Sequence, residues 1–387
     1  MTATAPRLRT EGVRVCHLTS VHPPYDTRIF EKECLSLVAA GYDVHLVAPM
    51  NGRAQNGSSE RVRGVTIASV APSRGRLARA VVTTARVFAR ALGIRARLYH
   101  FHDPELLPVG ILLRVLGKRV IYDVHEEVPA DILDKAYLPR WTRGLLARIV
   151  DIGERWAARG MSGIVAATPT IARRFSPARS VVVQNFPSPG EFPPSSEHPY
   201  ATRGPVAAYV GLINELRGAT EMVRAVEHVA AQQRATLVLA GRFDTAALEA
   251  RARALPGWRH VDYRGTLAHA AVVPMLAEAR LGLVLFHPRP NHMSAQPNKL
   301  FEYMAAGLPV VASRFPLWQE IVEGSRCGLL VDPLDPREIG AAIAWLFEHP
   351  AEAEAMGARG RAAVRDRFNW PCEAATLLRC YARLCAS

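Results

Sequence analysis

Two acidic histidine clusters stand out: His102-Asp103-Pro104-Glu105 and Asp123-Val124-His125-Glu126-Glu127. Imidazole can donate to or accept from a hydroxyl, and carboxylates accept hydroxyl pairs, so both clusters suit a polyhydroxylated substrate. A third polar stretch, Ser20-Val21-His22-Pro23-Pro24-Tyr25-Asp26-Thr27-Arg28, could offer backbone N–H groups and Asp26 to an anion or a hydroxyl. Equally, Asp26 or Thr27 could simply cap the helix that follows. The second half has a different chemistry. Gly211 permits close backbone approach, and Arg217 carries a guanidinium fork matched to a diphosphate. In Gln296-Pro297-Asn298-Lys299-Leu300-Phe301-Glu302, a helix begins near Asn298. Its positive end and Lys299 suit phosphate oxygens, while Glu302, a turn further on, suits the two hydroxyls of a ribose.

The elements that must hold these residues follow from hydrophobic period. Short apolar runs at 13–19, 43–48, 65–70, 98–101, 119–122, 163–167 and 180–183 alternate with helical stretches, including Arg28–Ala40 closed by Gly41. The rhythm breaks at 184–203, where five prolines stand among serines. It resumes with strands at 206–210, 236–239, 261–264, 281–286, 309–312 and 328–331, and the chain ends in helices from about Pro336. Strands alternating with helices predict two α/β domains with parallel sheets, and ligands then lie beyond the carboxyl ends of the strands. The polar clusters all follow predicted strands. The expected division is 1–186, a linker at 187–203, a second domain at 204–368, and a final helix at 369–387.

Composition narrows the class. With 387 residues, 49% hydrophobic and 21% charged, the chain is globular and suits two domains. Its six cysteines show neither C-x-x-C pairs nor zinc-type spacing, which predicts reduced thiols and no metal site. Arginines interrupt every apolar run, and the N-terminus lacks a secretory pattern, so a cytoplasmic protein is expected. The net charge of +13 is uneven: residues 1–190 carry 27 Lys and Arg against 15 Asp and Glu, the remainder 21 against 20. The densest stretch, Arg74 to Arg97, would attract phosphate on a lipid or a diphosphate-linked acceptor at the inner membrane face, or is simply a solvated face. Nucleic acid is disfavoured because no aromatic residues interleave and no known module is present. A dehydrogenase is disfavoured because no G-x-G-x-x-G follows the first strand.

These motifs together, with Asp103-Pro104-Glu105-Leu106-Leu107-Pro108, Tyr122-Asp123-Val124-His125-Glu126, Asn185, Tyr209-Val210-Gly211 with Arg217-Gly218, and Asn298 through Val310, resemble the retaining glycosyltransferases of family 4, in the branch seen in surface-polysaccharide pathways. The resemblance covers nearly the whole chain. It implies the GT-B fold: two Rossmann-like domains facing each other across a cleft, acceptor in the first and nucleotide-sugar donor in the second, with a final helix (Trp370–Cys385) crossing back to the first. It implies catalytic roles for His125 beside the transferred sugar, Arg217 on the diphosphate and Glu302 on the ribose. The donor set is Gly211, Arg217, Asn298, Lys299, Leu300, Glu302, Asn291 and Ser294, and the acceptor-side set is His22, Asp26, Arg28, His102, Asp103 and Glu126. Three departures stand out: Ser294 where the family has the first glutamate of its pair, Leu212 in place of a common arginine, and His22–Arg28 in place of a double-glycine loop. Asn291 or His292 would then supply the missing sugar contact. The implied reaction is metal-independent transfer to a glycan or lipid-linked hydroxyl with retention, no cofactor, and a UDP-sugar favoured as donor. The alternatives are a non-catalytic nucleotide-sugar-binding subunit and a nucleotide-sugar epimerase of the same fold.

Overall fold

The computed structural model describes residues 12–50, 58–125, 127–134, 139–193 and 199–386. The chain divides into two compact units, Met1–Asn185 with Trp370–Ser387, and Phe186–Asn369. Each is built on one sheet.

The first unit holds eight strands: β1 (Arg14–Leu18), β2 (Asp43–Pro49), β3 (Ser59–Val62), β4 (Val65–Val70), β5 (Leu98–Phe101), β6 (Arg119–Val124), β7 (Gly163–Ala166) and β8 (Ser180–Val182), ordered β3-β4-β2-β1-β5-β6-β7-β8. All pairs are parallel except β3 with β4. Sequence periodicity does not reveal β3, because Ser59-Glu60-Arg61-Val62 is a polar, exposed edge strand. It joins β4 through a two-residue turn whose members, Arg63 and Gly64, both have positive φ, as a tight hairpin requires. The central strands β1, β5, β6 and β7 are almost wholly buried and covered on both faces. One face carries α1 (Thr84–Ile94), α2 (Leu107–Val115) and the C-terminal end of α3 (Arg140–Arg159). The other carries the helix from Thr27 to Ala39, whose first part, Thr27–Cys34, is π-helical, and the chain's last helix.

The second unit orders its strands β11-β10-β9-β12-β13-β14, all parallel. They are β9 (Val206–Val210), β10 (Thr236–Ala240), β11 (Val261–Gly265), β12 (Leu281–Val284), β13 (Val310–Ser313) and β14 (Gly328–Val331). Two apolar clusters flank the sheet, one including α4 (Ala219–Gln233), the other α5 (Asn298–Ala305). The last helix, α6 (Trp370–Ala386), belongs to the first unit. Trp370, Leu377 and Tyr381 are buried in that unit's core, and Trp370 Nε1 donates to Ser36 Oγ at 2.9 Å.

Strand order fixes where ligands can enter. In the first sheet the order reverses direction between β1 and β5, and in the second between β9 and β12. Loops leaving the carboxyl ends of those strands diverge and open a crevice. The residues there are Thr19, Ser20, His102 and Asp103 in one unit and Gly211, Phe286 and His287 in the other.

Candidate functional site

In the first unit the loop after β1 is held by Asp103. Its Oδ2 accepts hydrogen bonds from Thr19 Oγ1 at 2.8 Å and from the Ser20 backbone N–H at 2.6 Å. The loop ends at Asp26, which caps the next helix by accepting from the N–H groups of Arg28 and Ile29, each at 2.9 Å. Of the two capping residues the sequence allows, Asp26 is therefore the one used. Burial would raise its carboxyl, but the hydrogen bond from His22 and those from the backbone prevail and lower it to about 2. His22 lies between these anchors, its Nδ1 3.3 Å from Asp26 and its Nε2 3.4 Å from Asp103. The same Nε2 is 3.1 Å from His125 Nε2. Both imidazoles are partly exposed, unlike the groups beneath them.

Below that pair lies a buried network. Asp123, at the end of β6, sits 3.6 Å from His125 Nδ1 and 2.9 Å from His102 Nδ1. His102 Nε2 is hydrogen-bonded to His17 Nδ1 at 2.9 Å. His17 Nε2 and His100 Nδ1 both meet the Tyr381 hydroxyl, at 3.0 and 2.8 Å. Arg28 grips Asp123 with a two-pronged bond of 3.0 and 2.8 Å and lies 3.2 Å from Glu33. Burial alone would raise Asp123, yet Arg28 and the histidine hydrogen bonds hold its carboxyl well below the usual range. Glu33 behaves oppositely: burial and the Asp123 charge raise its carboxyl well above the usual range, with Arg28 opposing. Burial also depresses His17, His100 and His102, so the three imidazoles are neutral.

The structure thus brings together His22, Asp26, His102, Asp103 and His125. It places Arg28 and Asp103 in the interior, where they position the loop and Asp123. Glu126 lies outside the described residues. The sequence marks Asp123 only as part of its cluster, with no role of its own, and no motif points to His17, His100, Glu33 or Tyr381 at the site. One signal was available: His17 and His100 are register partners on neighbouring strands, and buried histidines on apolar strands call for polar partners. His17, Glu33, His100 and His102 also place one donor atom each within 4.8 Å of one another, a spacing that a metal ion could bridge.

The second unit assembles a cationic site. Lys299, in the first turn of α5, is only 8% exposed. Its ammonium sits 3.7 Å from the Tyr209 ring centroid and finds no hydrogen-bond acceptor. Gly211 makes room for it: at φ 121°, a Cβ there would lie 3.2 Å from Nζ. Burial and repulsion from Arg217 push the Lys299 ammonium well below its ordinary pKa, with Glu302 opposing. Arg217 packs over Phe286, its guanidinium carbon 5.3 Å from the ring centroid. Asn298 is exposed at the start of α5, and Glu302 is half-buried one turn along. Leu300 is different: its side chain is fully buried in the core and its N–H donates to the Pro297 carbonyl. Ser294 Oγ donates to the carbonyls of Pro290 and Asn291 within its own short helix. The loop carrying Asn291 and Ser294 is fixed by His292 Nδ1 on the His287 carbonyl and by Trp318 Nε1 on that of Ala295. Tyr209 and Phe286 supply the aromatic walls around the cations; the sequence marks Tyr209 only as part of its motif and Phe286 only as the end of a strand, with no ligand-side role for either.

Two family models match the chain: a glycosyl transferase 4-like domain over residues 27–185, and glycosyl transferases group 1 over residues 204–349. The chain therefore belongs to the GT-B glycosyltransferases of family 4 type. It is 25% identical over 291 residues to a D-rhamnosyltransferase of Pseudomonas aeruginosa, covering 72% of this chain and 71% of that one. To an MMP alpha-(1->4)-mannosyltransferase of Mycolicibacterium hassiacum it is 24% identical over 315 residues, covering 78% and 74%. The fold matches sucrose-phosphate synthase of Thermosynechococcus elongatus with a TM-score of 0.77 at 19% identity, covering 96% of this chain and 99% of that one. It also matches the Anabaena protein HepE, whose structure was determined in complex with UDP, with a TM-score of 0.72 at 15% identity, covering 96% and 100%.

Proposed function

We propose that this glycosyltransferase moves a sugar from a nucleotide-sugar, with a UDP-sugar favoured, to a hydroxyl of a glycan or lipid-linked acceptor, with retention and without a metal. The observation that carries the reading is the Lys299 ammonium, buried without an acceptor beside Arg217. A cation so placed calls for an anionic partner, and a diphosphate supplies one. The HepE structures with UDP and with UDP-glucose are consistent with this.

Cleaving the sugar–diphosphate bond leaves negative charge on the departing oxygen and positive character on the sugar. Arg217 and Lys299 stabilise the first without a bound ion, in a site where aromatic walls lower the local dielectric. Glu302 accepts from the ribose hydroxyls and anchors the nucleoside half. His125, backed by Asp123, serves the sugar end, and the buried network fixes its ring rather than titrating. The lipid-diphosphate acceptor is favoured by the surplus of cationic residues in 1–190. A thermal-shift screen with UDP-, GDP-, dTDP- and ADP-sugars tests the reading. One nucleotide family should raise Tm with saturable dose dependence, and the Arg217→Ala variant should lose most of that rise. Failure of every nucleoside diphosphate to shift Tm would refute it.

A further inference from the structure

Three arginines of the dense stretch 74–97 are tied to the protein itself: Arg79 pairs with Glu105, Arg86 donates to the Ala71 carbonyl and Arg90 to Ser59 Oγ. A different surface of the first unit stands out. On α3, Ala147, Glu154, Ala157 and Ala158 face the protein, with Tyr122 donating to Glu154 at 2.8 Å. The outward side carries Trp141, Leu145, Ile149, Ile152 and Trp156, spaced i, i+4, i+8, i+11 and i+15, which is one continuous stripe. Trp141 is 82% exposed, Trp156 67%, and the three aliphatic residues 57–62%. From ordinary side-chain areas this is a patch of roughly 500 Å², at the upper end of what a soluble monomer leaves to water. The neighbouring α2 adds Val115, 78% exposed.

Charge borders the stripe. Arg148, Arg155 and Arg159 follow the same helical spacing along one flank. Beside Arg159 opens a cavity of about 610 Å³ lined by Arg155, Arg159, Arg173, Arg174, Ser176 and Arg179. Arg174 is neutralised by Asp151 and Glu154, and Arg155 also lies 3.5 Å from Asp151, whereas Arg148, Arg159 and Arg173 meet no carboxylate among the described residues. Among those residues, no helix is long and apolar enough to cross a membrane.

We propose that α3 lies in the surface of an anionic lipid bilayer, with its Trp-to-Trp stripe among the acyl chains and a lipid phosphate in the arginine-lined cavity. Tryptophans at both ends of an apolar stripe with an arginine flank form an interfacial helix. Charge selects lipid over a second copy of the chain. A twofold contact through this face would set arginine borders against each other on a unit that already carries the surplus of positive charge. The docking rests on exposed side chains and not on the transfer reading, so either can fail alone.

The test is flotation of the full chain with vesicles of phosphatidylcholine alone and of equimolar phosphatidylcholine and phosphatidylglycerol. The chain should float with the anionic vesicles only, with a blue shift in tryptophan emission. Arg148→Ala with Arg159→Ala should weaken binding by about 30-fold, from the surface-charge contribution of two arginines. Trp141→Ser with Trp156→Ser should abolish the blue shift and most of the binding. Circular dichroism and the nucleotide-induced Tm shift of both double variants should match those of the parent, which separates lost docking from lost folding. Equal binding to both vesicle types, binding to neither, or a dimer in sedimentation equilibrium that Trp141→Ser dissociates would each overturn the proposal.

Discussion

Replacing Lys299 by methionine separates the stability of the donor site from its function. In the ligand-free protein the ammonium is buried, lacks an acceptor and is repelled by Arg217. A charge buried without a partner costs several kcal/mol even after its surroundings relax, and an apolar group of similar length removes that cost. Against this stands the cation–π contact with Tyr209, about 1–2 kcal/mol. The net expectation is about 1 kcal/mol or more in favour of Lys299→Met, a rise of about 2–4 °C in Tm for units of this size. Diphosphate binding should move the other way, losing the ~1.5–3 kcal/mol of a charged hydrogen bond, or roughly 10- to 150-fold in Kd. The sign of the pH effect follows from the depressed pKa. The folding penalty is complete below that value and fades as pH rises from it toward the ordinary 10.5, so the parent gains stability on alkaline titration and the variant does not. Differential scanning fluorimetry and calorimetric titration with the nucleoside diphosphate measure both quantities. A lower ligand-free Tm in the variant, or a Kd within threefold of the parent, would refute the reasoning.

Three further outcomes are expected. Asp123→Asn leaves buried Arg28 without its two-pronged carboxylate, with only Glu33 beside it, and should cost up to about 3–5 kcal/mol in urea denaturation. As pH falls below about 6.5, the unfolded chain protonates three histidines that the folded chain keeps neutral, while Glu33 acts in opposition because only the folded chain holds its proton. Three depressed imidazoles outweigh one raised carboxyl, so stability should fall as pH drops from about 6.5 toward 5, and a flat profile over that range would contradict the neutral network. Arg217→Ala should lower kcat by about 10²–10³ with partial recovery in Arg217→Lys, and the parent's turnover should survive EDTA; loss of activity on chelation, restored by manganese, would contradict stabilisation by side chains alone.

How much of this the sequence disclosed depends on the range of the interaction. The parallel strands were legible because most are short, largely apolar runs, as with Leu281–Val284, and the cap at Asp26 and the stop at Gly41 are local chemistry. The edge strand Ser59–Val62 was not, since its polar residues carry no period that burial would impose. At the site, His102, His125, Arg217 and Lys299 announced themselves by following strands or opening a helix. The Tyr381–His17–His100 contact joins residues hundreds of positions apart, and no local pattern encodes it. Leu300 shows the converse error: a motif neighbour of Lys299 was expected on the ligand, yet the turn of the helix sends its side chain into the core.

The placement of α6 has a consequence for biosynthesis. The ribosome releases Tyr381 only after the entire second unit has emerged, so until then His17 and His100 lack the hydroxyl that joins them. The half of the protein made first is therefore completed last, and a nascent chain halted before Trp370 would expose the groove that this helix fills, a natural point for chaperone engagement.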